Sequence, residues 1–113
     1  MAIHKDIQNF YPKTRQQWRD WLIENHQVSK GIWLIYYKKA SGQPTVTYDE
    51  AVEEALCFGW IDSTANTVDE QRYKQFFSPR RPKSPWSSLN KERIARLLTS
   101  KLITEAGRLL AHL

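Results

Sequence analysis

Cysteine, glycine and long apolar runs are what this chain has least of. Its 113 residues include one cysteine, Cys57, which rules out an intramolecular disulfide and a multi-cysteine metal site and fits a reducing compartment. His4, His26 and His112 lie far apart and share no ligand spacing with one another or with Cys57, so no metal is expected. No segment approaches the roughly 20 apolar residues of a membrane span. Met1 to Gln8 lacks the apolar core of a secretory signal, and the expected location is the cytoplasm. The four glycines form no phosphate-cradling loop, and no nucleophile elbow or acid–base carboxylate pair is present, so neither cofactor nor catalytic constellation is expected.

Acidic residues are scarce in one place. Residues 72–96 hold eight of the seventeen Lys and Arg but only one of the twelve Asp and Glu, Glu92, leaving nine bases and eleven acids elsewhere. Within that segment, Phe76 to Lys91 mixes aromatic, proline, serine and cationic residues without helical or strand period. Such a local surplus attracts phosphate or another polyanion.

What the chain has in quantity is aromatic: five Trp, five Tyr and four Phe. Each such side chain buries on the order of 150–250 Å², enough for one domain spanning 1–113. Thr14 with Gln17 reads as a capping box, followed by Trp18, Trp21, Leu22 and Asn25 at helical spacing. Ile32 to Tyr37 has the β-branched and aromatic make-up of a central strand. Thr47 and Glu50 form a second capping box ahead of the apolar stripe Tyr48, Ala51, Val52, Ala55, Leu56, with Glu53 and Glu54 expected outward. That helix ends at Gly59, and two strands joined at Asp69-Glu70 follow. Ser87 or Ser88 caps a third helix with Ile94, Leu97 and Leu98 inward and Lys91, Arg93 and Arg96 outward, and a short helix begins at Thr104. The expectation is an α+β domain of order α-β-α-β-β-α-α, with a small three-stranded, mostly antiparallel sheet.

The candidate site is the basic loop and the helix it enters. A helix N-terminus offers unpaired N–H groups to an anion. Arg80, Arg81 and Lys83 add charge, Ser84, Ser87, Ser88 and Asn90 add polar groups, and Trp86 adds a stacking face. The rival reading is a structural strap, in which the prolines stiffen a connector and the arginines pair with acids such as Asp62. Asp62 is thus either a carboxylate paired with Arg80 or Arg81, or a site acid. Cys57, near a helix C-terminus, reads as an inert thiol.

The run Thr47-Tyr48-Asp49-Glu50-Ala51-Val52-Glu53-Glu54-Ala55-Leu56-Cys57-Phe58-Gly59-Trp60-Ile61-Asp62-Ser63 is followed by Phe77-Ser78-Pro79-Arg80-Arg81-Pro82-Lys83-Ser84, then Trp86-Ser87 and Asn90. These motifs, preceded by Trp18 to Leu22 and Gly31-Ile32-Trp33-Leu34, resemble the bacterial YdeI/OmpD-associated family, also labelled bacteriocin-protection proteins, over nearly the whole chain. The resemblance implies a link to resistance against cationic antimicrobial peptides and to an outer-membrane porin, sometimes with a periplasmic label, and implies no catalytic residues. Relatives commonly carry Gly and Met where this chain has Lys101 and Leu102, whereas Gly107 matches a later family glycine. The expected function is non-enzymatic binding of an anionic ligand or protein partner. The alternatives are a nucleic-acid module and an enzyme using Asp62 or Cys57 beside Arg80 or Arg81.

Overall fold

The computed structural model describes residues 8–80 and 87–110, with side chains to residue 107. It is an α+β domain built from β1 (Asn9–Phe10), α1 (Arg15–Asn25), β2 (Ile32–Tyr37), α2 (Tyr48–Cys57), β3 (Trp60–Thr67), β4 (Arg72–Pro79), α3 (Ser88–Thr99) and α4 (Glu105–Leu110). The local signals act as expected. Thr14 and Ser87 accept from the backbone N–H groups of Gln17 and Asn90, and Thr47 and Glu50 close a reciprocal box, whereas the expected Thr14–Gln17 box stays half-made because the Gln17 side chain takes the Lys13 N–H. Gly59, at φ +76°, takes the left-handed conformation that lets the chain leave α2 and enter β3 at once.

The sheet corrects the expected count. It has four strands in the order β1-β2-β4-β3, with β2, β3 and β4 antiparallel as expected and β1 parallel to β2. Two residues are too few to show alternation, so β1 exists only because β2 offers it an edge. Ile32, Leu34 and Tyr36 of β2, with Phe77 of β4 and Trp60 of β3, face the helices and join Trp18, Leu22, Val52, Leu56, Ile94 and Leu97 in one core. Trp33 and Ile35 are also buried, so β2 is covered on both faces.

Helix α2 is the central element and packs against α1, α3, α4 and β3. That position overturns the expectation of outward Glu53 and Glu54, which are only 9% and 3% exposed. Glu54 takes Arg15 at 2.6 Å and Arg19 at 2.8 Å, and Glu53 takes Arg96 at 2.7 Å and Arg15 at 3.2 Å. With helices on both flanks, every residue of α2 from Ala51 to Cys57 is buried, and arginines from α1 and α3 bring the countercharge that buried carboxylates require. Arg93, expected outward, is likewise buried.

The end of α3 carries a conformational oddity. The Leu102 N–H reaches the Leu97 carbonyl and the Lys101 N–H reaches that of Leu98, both at 3.1 Å, which is the Schellman pattern. Its left-handed position, at φ +60°, is held by Lys101, a residue with a side chain where glycine is the usual occupant. A Cβ in that region costs about 1–2 kcal/mol, partly offset by the flexibility glycine adds to the unfolded chain. Lys101→Gly is expected to raise stability by about 0.5–1 kcal/mol and Lys101→Val to lower it, read as urea midpoints. A glycine variant no more stable than the parent would show that the turn carries no strain.

Candidate functional site

Strands β3 and β4 bring the separate sequence motifs together. Trp60 lies opposite Pro79 and Asp62 opposite Phe77, while the Arg80 N–H bonds the Gly59 carbonyl at 2.8 Å. The polar centre of this region is a chain of hydrogen bonds. The Tyr36 hydroxyl donates to Gln75 Oε1 at 3.0 Å, Gln75 Nε2 donates to Asp62 Oδ2 at 2.9 Å, and the Tyr48 hydroxyl donates to the same Oδ2 at 3.0 Å. Tyr36 also stacks on Tyr73 at 4.8 Å between centroids. Burial, helped by Tyr73, Asp62 and Tyr48, pushes the Tyr36 phenol well above its ordinary range. Burial and then Asp62 likewise raise Tyr48, so both phenols remain donors.

Next to this chain, α3 begins. Arg93 donates through Nη1 to Asn90 Oδ1 at 2.9 Å and through Nη2 to Asp49 Oδ1 at 2.7 Å, tying the first turns of α2 and α3 together. Tyr48 lies within electrostatic reach of both Arg93 and Asp62, so the two clusters adjoin.

Among the expected anion-site residues, Ser87 spends its hydroxyl on the Asn90 N–H, Ser88 is exposed, and Asn90 serves Arg93 through its side chain. Arg80 is 5% exposed, and burial lowers its guanidinium pKa. Arg81, Lys83, Ser84 and Trp86 lie outside the described residues. Asp62 accepts hydrogen bonds from the Tyr48 hydroxyl and the Gln75 side-chain amide. Among the described residues, Arg72 pairs with Asp69, Arg93 with Asp49 and Arg96 with Glu53, so these clustered bases serve the fold through ion pairs. Lys74 stands 4.4 Å over the Trp33 ring.

Cys57 is fully buried, and desolvation followed by the nearby Glu54 carboxylate pushes its thiol up to about 11, with Arg19 only partly opposing. At neutral pH it is a protonated core thiol, not the thiolate that nucleophilic chemistry needs. Among the described residues, no group of three or more His, Cys, Asp or Glu is placed to hold a metal, and no helix is long and apolar enough to cross a membrane.

A family model described as a domain of unknown function, DUF8412, matches residues 10–109. The chain belongs to this family. Comparison with curated proteins and with solved structures gives no match. The DUF8412 match runs from the second residue of β1 into α4, so the elements from α1 to α3, including the Asp62 and Arg93 clusters, lie within it.

Sequence reasoning missed Tyr36, Tyr48 and Gln75. Gln75 left a signal. It is the polar residue in the inward series Tyr73, Gln75, Phe77 of β4, and a polar group at such a position needs a partner across the sheet. Tyr48 left less, because an aromatic on the first turn of an amphipathic helix reads as part of its apolar stripe.

Proposed function

We propose that this DUF8412 protein is a binding domain, not an enzyme, and that it engages an anionic partner around the start of α3. The observation that carries this reading is the charge segregation of residues 72–96, eight bases against the single acid Glu92. Arg72, Arg93 and Arg96 are committed to carboxylates. Arg80, Arg81 and Lys83 follow Lys74 in that segment and lead to the exposed Lys91 on the first turn of α3. Ser84, Trp86, Ser87, Ser88 and Asn90 accompany them along the chain. Asp49, Glu53, Glu54 and Asp69 are paired with arginines. The raised thiol of Cys57 and the doubly hydrogen-bonded carboxylate of Asp62 supply no nucleophile or base pair. The resemblance to YdeI/OmpD-associated proteins supplies the process such binding would serve, protection from cationic antimicrobial peptides.

The test is a chemical-shift titration with inorganic phosphate, a nucleotide and a short single-stranded oligonucleotide at low and high salt. Shifts centred on residues 80–91 are expected, and Arg81→Ala with Lys83→Ala together should remove them. Oligonucleotide affinity that falls steeply with salt, with a log–log slope near 0.7 per neutralised phosphate on single strands, would make the partner a nucleic acid. Flat titrations with all three probes at low salt would leave the segment a structural strap and end this reading.

A further inference from the structure

Arg93 differs from the other paired arginines. In the described pairs of Glu53, Glu54 and Asp69 the arginine is exposed to a fifth or more of its side chain, and the two glutamates are the buried members. In the Arg93–Asp49 pair the roles reverse, with the guanidinium side chain 6% exposed and the carboxylate 76% exposed. A buried cation needs a counter-ion, because its charge has been taken out of water. An exposed carboxylate held by one 2.7 Å contact is replaceable, because water solvates it as soon as it leaves.

The surroundings suit an oxyanion. Asn90 fixes the guanidinium through Nη1, leaving its outward Nη2 edge on Asp49. Planar N–H donors on a fixed fork match the paired oxygens of carboxylate or phosphate. Tyr48 stands beside the pair with an exposed ring, and its hydroxyl and the Gln75 side-chain Nε2–H both donate to Asp62 Oδ2, which limits repulsion from that neighbouring carboxylate. Asn90 and Ser87 place this spot at the head of α3, at one end of the cationic segment.

We infer that Arg93 anchors the anionic partner and that the Asp49 carboxylate is an internal stand-in which the partner's oxyanion displaces. This inference rests on the anion-binding reading above and adds to it an autoinhibitory contact. Removing the stand-in should tighten oxyanion binding by up to about fivefold, the worth of one exposed ion pair.

The experiment compares wild type, Asp49→Asn, Asp69→Asn and the double variant Asp49→Asn/Arg93→Leu in thermal melts and shift titrations. Inorganic phosphate and acetate are added separately against chloride at matched ionic strength. Asp49→Asn should melt lower than wild type in chloride and recover in phosphate by more than wild type or Asp69→Asn, with shifts at Asn90 and Arg93. The double variant should lose that gain; should it fail to fold, the Asn90 and Arg93 shifts of the single variant carry the test. A response to phosphate but not acetate assigns a phosphoryl group, and a response to both assigns any oxyanion of that shape. Equal phosphate increments in wild type, Asp49→Asn and Asp69→Asn would overturn the inference. Wild-type shifts at residues 80–88 without an Asp49→Asn gain would sink this inference alone, whereas an Asp49→Asn gain with residues 80–88 unmoved would sink the wider reading.

Discussion

Replacing Trp18 with alanine is expected to cost about 3–5 kcal/mol, the range for emptying an aromatic core position. Trp18 has no exposed surface and joins three elements to α1. Its ring meets Phe77 of β4 edge-on at 5.3 Å, stacks with Trp21 at 5.5 Å and approaches Phe10 of β1, while Nε1 donates to the Ala51 carbonyl of α2 at 2.9 Å. Set against the roughly 5–15 kcal/mol that hold a domain together, that loss leaves the fold marginal. Trp18→Phe keeps most of the ring contact and forfeits one buried hydrogen bond and some volume, for about 1–2 kcal/mol. Urea unfolding reads both as midpoint shifts. Equal shifts for the two variants would show that the hydrogen bond, not the packing, carries the position.

Glu54→Ala is expected to cost about 3 kcal/mol, at the lower end of the range for breaking a buried pair. Its two oxygens serve Arg15 through Nε and Nη2 and Arg19 through Nη1, and all three contacts vanish together. The arginines soften the loss because Arg15 is 37% exposed and Arg19 also holds the Leu102 carbonyl at 2.8 Å. Salt separates this pair from an ordinary surface one. Screening weakens exposed charges more than buried ones, so the cost should persist at high salt, whereas the effect of Asp69→Asn on the exposed Arg72 pair should fade. A Glu54→Ala cost that disappears with salt would mean that water reaches the pair. An Arg19→Leu/Glu54→Leu cycle should return a coupling of about 0.5–3 kcal/mol.

The two glutamates show why half of the fold was legible and half was not. Capping boxes, the glycine that ends α2 and the β-branched run of β2 work within a few residues of themselves, so their chemistry is visible in the chain. Which sides of a helix meet protein is decided by what packs there. The apolar stripe of α2 marks one buried side; α1 and α3 cover the others, and only their arginines make that tolerable for Glu53 and Glu54.

The candidate site divides the same way. Charge segregation, the Ser87 cap and the placement of Asn90 at the head of α3 belong to the sequence, because each follows from composition or local hydrogen bonding. The Tyr36–Gln75–Asp62–Tyr48 chain and the Asp49–Arg93 contact do not, because they join residues 13 to 44 positions apart. The register of β2, β4 and β3 sets Gln75 between Tyr36 and Asp62, and the packing of α3 along α2 sets Arg93 against Asp49. By itself the sequence determined the helices, the antiparallel strands and where charge gathers. Only the tertiary structure decided which of those charges the fold consumes, because a charge meets its partner only after distant segments are brought into contact.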